Sequence, residues 1–356
     1  MLTQRPTLFT VKSGMRVGLI GTGAIAQKHA QAYKNIGFEL LVCTNRNAAA
    51  GEAFAARNGA AFVPAFEDVC RHPDIEFVDL CTLPEMRLPV VEACARSGKH
   101  LQVQKPIAAD LATARKMIDT AKKAGILLSV VSQHRFDDAS IFLSEAIRAG
   151  RLGRLLQCDC YVKWYRPPEY YARHGKGTWK SEGGGALINQ GIHQVDLLRW
   201  FAGPVREVSG VWQLGALHRI EAEDVVSAVV SYASGATGVI QASTALWPGY
   251  PERIEVHGTK GSAVITGDRL TSWDVMQDSG PPPPLNPVIQ SGASDPMAIS
   301  LQPFEHQFLD FAAAIKDRHE PSVSGEEGYR TLEIVDAIYR SCRTRRPVLL
   351  EKSLNV

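Results

Sequence analysis

The chain has no apolar run long enough to cross a bilayer, and Met1 to Gly14 carries neither a leader-like apolar core nor paired arginines. With both signals missing, a soluble cytoplasmic protein is expected. Neither sign of charge is in excess: 39 basic residues face 37 acidic ones, interspersed, for a net charge of +2. Such a balance gives no electrostatic reason to expect nucleic acid or a membrane as partner. The seven cysteines are odd in number and include no Cys-x-x-Cys pair, which argues against a disulfide framework or a zinc knuckle, and no metal is expected. Cys158 and Cys160, two apart and so on one face of a strand, read as small buried hydrophobes of a reducing compartment. Internal repeats are also missing. What is present is 356 residues with 45% hydrophobic content, enough for a large core and, by length, for two domains rather than one.

The apolar run Val17-Gly18-Leu19-Ile20 meets Gly21-Thr22-Gly23-Ala24-Ile25-Ala26, and a helical pattern comes next in which Ala26, Ala30 and Tyr33 share one face. This is the spacing of the dinucleotide fingerprint, with alanine at its third small position, in the strand-turn-helix setting that the motif requires. Gly21 permits the tight turn, Gly23 lets backbone N–H groups approach a pyrophosphate, and Ala26 lets the helix pack close to the strand. Gly21, Gly23, Ala24 and Ile25 are the expected phosphate contacts, at a helix N-terminus.

From Arg16 to Val131 short apolar runs alternate with helical patterns. Strands are expected at Val17–Ile20, Leu40–Thr44, Ala61–Val63, Phe77–Cys81, Leu101–Val103 and Leu127–Val131, a complete doubly wound parallel sheet of α/β type. The second strand ends in Thr44-Asn45-Arg46-Asn47, with no acid to grip a ribose hydroxyl or repel a 2'-phosphate. Arg46 could pair with that phosphate or stack on adenine, which tips the balance of an NAD(P) site toward NADP; the alternative is a solvated Arg46, with Asn45 bonding the 2'-hydroxyl of NAD. Thr82 comes after the fourth strand, and Gln104-Lys105-Pro106 after the fifth, where the proline fixes the turn and aims the Lys105 ammonium at the crevice, and all four are expected on the cofactor.

The fingerprint, the Lys-Pro strand end, Gln133-His134-Arg135-Phe136, and Gly183-Gly184-Gly185 with Asn189 and His193 after it together resemble the Gfo/Idh/MocA family of glucose-fructose oxidoreductases and inositol dehydrogenases, from about Met15 to Val348. The resemblance implies an NAD(P)-dependent oxidoreductase for a sugar or cyclitol, with the active site between two domains. Members usually carry glutamate where Gln104 stands, so this chain lacks a negative charge beside Lys105. Members also tend to carry Thr-Pro-Asn and a nearby histidine where this chain has Thr82-Leu83-Pro84 and Arg87. At the place of Asn189 they commonly have aspartate, with the histidine four residues later as general base. Asparagine there, with Gln190-Gly191 and His193 after it, is similar to the nucleotide-sugar 3-dehydrogenase branch, which implies a pyranose hydroxyl as target.

Residues 1–133 are expected to form the NAD(P) domain and 134–356 an α+β domain for substrate binding and oligomerisation. In the latter, Arg154–Trp164, Val205–Leu214, Val225–Tyr232, Thr237–Leu246, Arg253–His257, Gly261–Thr266 and Leu270–Val275 read as strands of an open, largely antiparallel sheet, whose exposed face would make a homodimer or homotetramer. The Pro-rich stretch Ser279–Pro303 reads as a long loop, and beyond it lie two amphipathic helices, one around Phe304 to Ile315 and one around Leu332 to Tyr339. The stretch from Trp164 to Trp179 mixes aromatic and basic residues and would be costly to expose. Trp164, Arg166, Tyr170 and Trp179 are therefore expected on the substrate together with Arg135, Asn189 and His193, the alternative being a packing or subunit-contact loop. Asn189, His193 and Asp196 fall on one helical face in an apolar segment, a polar stripe expected to face a cleft. In this reading His193 removes a hydroxyl proton, Lys105 stabilises the oxygen and Asn189 fixes the geometry. The rivals are a ketosugar reductase running the same chemistry backwards and a nucleotide-binding sensor without catalysis.

Overall fold

The computed structural model describes residues 14–280, 289–293 and 299–350. Strands β1 (Arg16–Ile20), β2 (Glu39–Thr44), β3 (Ala61–Phe62), β4 (Phe77–Leu80), β5 (His100–Val103) and β6 (Leu128–Val130) pair in parallel in the order β3-β2-β1-β4-β5-β6. Alternation along the strands feeds two cores. Val17, Leu19 and Phe77 pack with Ala26, Ala30 and Tyr33 of the helix Ala24–Asn35, whereas Ile20, Val78 and Leu80 pack with Val90, Val91 and Met117 of the helices Arg87–Ser97 and Leu111–Lys123. Both faces are thus buried, which is why these strands read as short apolar runs rather than alternating ones. Chain order reverses between β1 and β4, and ligands of open sheets bind outside the strand ends at such a switch point.

A second sheet takes β7 (Leu155–Lys163), β8 (Val205–Leu214), β9 (Glu223–Tyr232), β10 (Thr237–Ser243), β11 (Arg253–Gly258), β12 (Gly261–Thr266), β13 (Arg269–Val275) and β14 (Val348–Leu349) in the order β13-β12-β11-β7-β10-β9-β8-β14. Its pairs are antiparallel except β7 with β10. Strand β10 stops short of the expected Leu246 because Ala245 leaves the ladder to bridge Tyr165. The two-residue β14 is too short to show a period in the sequence. On β8 and β9, Val208, Val226 and Val230 face the core while Val211 and Val229 stand exposed on the opposite face.

Two helices from late in the chain belong to the first sheet's surroundings. Phe304, Phe308 and Phe311 of the helix Gln302–Asp317 join the core of β1 and the helix Ala24–Asn35. Val323, just before the helix Gly325–Thr344, accepts hydrogen bonds from Val130 N at 3.0 Å and Ser129 Oγ at 3.1 Å. Of the expected loop Ser279–Pro303, residues 281–288 and 294–298 lie outside the described residues. Among the described residues, no helix is long and apolar enough to cross a membrane.

Candidate active site

The carboxyl ends of β1, β4 and β5 open into a cavity of about 700 Å³ whose far wall comes from residues 164–193. Gly21 turns the chain out of β1 with φ +93°, and a Cβ there would lie 2.8 Å from Cys81 O, so only glycine fits. Gly23 is the N-cap of the next helix, makes no side-chain cap bond, and has open space where a side chain would be. The first-turn N–H groups of that helix lack intrahelical partners, and the buried hydroxyls of Thr22 and Thr82 have no hydrogen-bond partner among the described residues. These orphan donors beside an open helix N-terminus fit the phosphates and nicotinamide portion of a dinucleotide. Of the residues expected on the cofactor, Ala24, Ile25, Thr82, Gln104, Lys105 and Pro106 line the cavity. Gly21, Gly23, Asn45 and Arg46 do not. Asn45 and Arg46 nevertheless sit just past the strand whose Thr44 O accepts from Gly21 N at 2.9 Å, with Arg46 exposed and Asn45 Nδ2 bonded to Asn47 O at 3.1 Å.

Lys105 and His193 meet in this cavity. Lys105 Nζ donates to the backbone oxygen of Asn189, which ties the β5 strand end to the segment Leu187–Gly191. Burial, then the nearby Lys176 ammonium, pulls the Lys105 pKa down to about 7. His193 is held well below the ordinary histidine value, first by burial and then by Lys105 and His134, so it is a neutral imidazole at pH 7. Asn189 donates from Nδ2 to Glu182 Oε1, which also takes Lys176 Nζ at 2.5 Å, while Gly177 N donates to Glu182 Oε2 at 2.9 Å. One of its two amide N–H donors goes to Glu182, and Asn189 keeps its carbonyl oxygen as an acceptor.

The expected polar stripe divides. Residues 187–191 wind as a π-helical turn before the α-helix Ile192–Ala202, and the wider turn shifts the phase of the residues beyond it. Asn189 and His193 line the cavity, but Asp196 is buried elsewhere against Arg135. Arg135 itself is not on the cavity: its Nε and Nη2 bond both oxygens of Asp196 at 2.7 and 2.6 Å, and its Nη1 bonds Glu327 at 2.8 Å. Three of its five N–H donors are held by two carboxylates, and the side chain is buried away from the cavity. Trp179 also falls outside, packed on Trp212 and Tyr339 with its Nε1 donating to Glu221 O at 3.2 Å and the Arg343 guanidinium above its ring.

Trp164, Arg166 and Tyr170 do line the cavity. Arg166 donates to Ala293 O at 2.7 Å and Gly292 O at 2.8 Å, so it anchors the described part of the Pro-rich loop to the wall. Tyr170 accepts from Gln190 Nε2 at 2.9 Å and lies beneath Arg173 and Lys176. Three contributors have no role in the sequence reading. Glu182 stands immediately before the glycine triplet, an acid in an otherwise basic stretch that could have signalled it. Gly184 there has φ +153°, and a Cβ would collide with the Tyr339 hydroxyl at 2.3 Å. Arg87, buried, donates to the backbone oxygens of Thr82, Gln104 and Pro106 and so pins the β4 and β5 strand ends together. His134 carries a motif position but no assigned role.

Among known proteins, the oxidoreductase-family model with an NAD-binding Rossmann fold matches residues 15–132, and the GFO/IDH/MocA C-terminal domain model matches residues 142–264. The 1,5-anhydro-D-fructose reductase of Ensifer adhaerens is 29% identical over 350 residues, covering 95% of this chain and 99% of its own. The inositol 2-dehydrogenase of Rhizobium meliloti is 28% identical over 341 residues, covering 94% and 98%. Among solved structures, the WlbA dehydrogenase from Bordetella pertussis in complex with NADH and UDP-GlcNAcA superposes with a TM-score of 0.83 at 29% identity, covering 95% of this chain and 99% of that one.

Proposed function

From the premise that this chain belongs to the GFO/IDH/MocA oxidoreductase family, we propose that it is an NAD(P)-dependent dehydrogenase of a secondary hydroxyl on a pyranose, nucleotide-linked sugar or cyclitol. The carrying observation is that Lys105 and His193 share one cavity with the open end of the fingerprint helix. Bound NAD(P) supplies the hydride acceptor. Neutral His193 takes the hydroxyl proton, Lys105 donates to the same oxygen as negative charge develops on it, and the Asn189 carbonyl orients a neighbouring hydroxyl. As hydride leaves the carbon, the C–O bond gains its second bond and the proton stays on His193; the reverse sequence reduces a ketosugar with the same residues. Trp164 and Tyr170 offer faces for the sugar ring. The exposed face carrying Val211 and Val229 supports assembly of a homodimer or homotetramer. A panel of free and nucleotide-linked sugars and cyclitols, read as cofactor reduction or oxidation, tests the reading. Dinucleotide binding without turnover on any of them would replace it by a sensor.

The two perturbed groups set the expected pH profile. His193 must be neutral and Lys105 protonated for dehydrogenation, so kcat/KM should be bell-shaped. Its acid limb should lie below the ordinary histidine value and its alkaline limb near about 7, where Lys105 loses its proton. Lys105→Arg should carry the alkaline limb out of the accessible range; an unmoved limb would assign it to another group.

Cofactor choice rests on Asn45 and Arg46, the residues at the β2 end available to the ribose position where an acid is lacking. NADP is expected to bind at least as well as NAD, and Asn45→Asp to shift preference toward NAD by repelling the 2'-phosphate. Titrating both cofactors against both proteins checks this, and a strong NAD preference in the unaltered protein would refute it.

A further inference from the structure

Behind His193 lies a second imidazole. His134 sits in the turn Gln133–Phe136 after β6, lines the same cavity, and meets the His193 ring edge-on, with centroids 5.1 Å apart and planes at 87°. Its Nδ1 is 2.7 Å from Asp137 Oδ2, and both residues are buried. A buried carboxylate bonded to one ring nitrogen fixes the ring and favours its charged form. We propose that His134, anchored by Asp137, is a positioning residue for His193: it holds the second ring edge-on and sets a positive charge beside it.

The consequence is a matter of Coulomb's law. A cation next to His193 opposes a second proton there, so His193 stays in the only form able to accept a proton from a hydroxyl. The titration tendencies agree. Burial alone would lower the His134 pKa, but the Asp137 carboxylate, with Glu252 and Asp268 behind it, outweighs burial and raises it. The charged groups facing His134 are thus Asp137 from its own turn, Glu252 from just before β11 and Asp268 from the β12–β13 turn. Those facing His193 are Lys105 from the β5 end and His134. Glu252 is in turn held by Trp164 Nε1 at 3.2 Å and Ser291 Oγ at 2.5 Å, so the acids around His134 belong to the wall of the site.

The inference rests on the reading of His193 as proton acceptor, and its test has a readout independent of turnover. Nitrogen-15 NMR of the imidazoles would be recorded against pH in the unaltered protein, His134→Phe and Asp137→Asn, with His193→Gln to assign the signal. In parallel, kcat/KM would be measured across the same pH range. A unit charge about 5 Å away acting through an effective dielectric of about 20 implies that removing it raises the His193 midpoint by roughly two to two and a half pH units. The acid limb of kcat/KM should move up by the same amount in both variants. Asp137→Asn keeps the ring and removes only its anchor, so it decides the matter if His134→Phe fails to fold, with His134→Gln as a second substitute. A His193 midpoint unmoved in a folded variant overturns the proposal. Turnover with an unmoved midpoint would leave the dehydrogenase reading standing and remove this one. A shifted midpoint in a protein that turns over none of the sugars would uphold the coupling and remove the reaction.

Discussion

Lys105→Met and His193→Ala are each expected to lower turnover by at least ~100-fold, the usual loss for an oxyanion donor or a general base. Methionine keeps the length of the lysine but removes the donor; alanine removes the base. Dinucleotide affinity should change far less, because the fingerprint turn and the helix Ala24–Asn35 lie on another element than either side chain. The double variant should cost less than the product of the singles, since the two groups act on one oxygen and its proton. Single-turnover hydride transfer and equilibrium cofactor binding measure both halves of the expectation. Near-normal rates in both single variants would remove the assignment.

Arg135→Ala should be strongly destabilising, by about 3–5 kcal/mol, the range for breaking one partner out of a buried ion pair. The substitution leaves Asp196, buried, and Glu327 without the guanidinium that joins the turn after β6 to the helices Ile192–Ala202 and Gly325–Thr344. The sign of the pH dependence is fixed by Asp196. Burial alone would raise its pKa, but Arg135 outweighs it and holds it below the ordinary value. Stability from this pair is therefore fully present above the unfolded carboxylate pKa of about 4 and lost as pH falls through the lower folded value. Urea unfolding at pH 7 should show the loss, and the gap between unaltered protein and variant should narrow toward pH values of about 3. A variant with unchanged stability and a raised substrate KM would return Arg135 to the substrate.

The first sheet was legible because each strand is a short apolar run closed by a turn, and the fingerprint depends on neighbours within a dozen residues. Lys105 and His193 were singled out by resemblance, since the Lys-Pro strand end and the glycine triplet with Asn189 and His193 match the family's motifs, and the structure brings both side chains to one cavity. Asp196 was misplaced because spacing along the helix says nothing of its partners: Arg135 and Thr331, 61 and 135 residues away, bind its carboxylate in the interior.

Local chemistry in the sequence determined the doubly wound sheet and the open helix N-terminus at Gly23, since these depend on residue type and spacing alone, while the resemblance pointed to the two groups on which the proposed proton and hydride chemistry rests. Only the tertiary structure decided what the basic and aromatic side chains do. Arg135 and Arg166 are both arginines beside aromatic residues, yet one is held by Asp196 and Glu327 and the other props a cavity wall against Gly292 and Ala293. Trp164 lines the site while Trp179 packs under Arg343. The partners lie 61 to 192 residues away from Arg135 and 126 or 127 from Arg166. A charged or aromatic side chain acts through whatever folding sets within a few ångströms of it, and no period in the chain encodes a neighbour so distant.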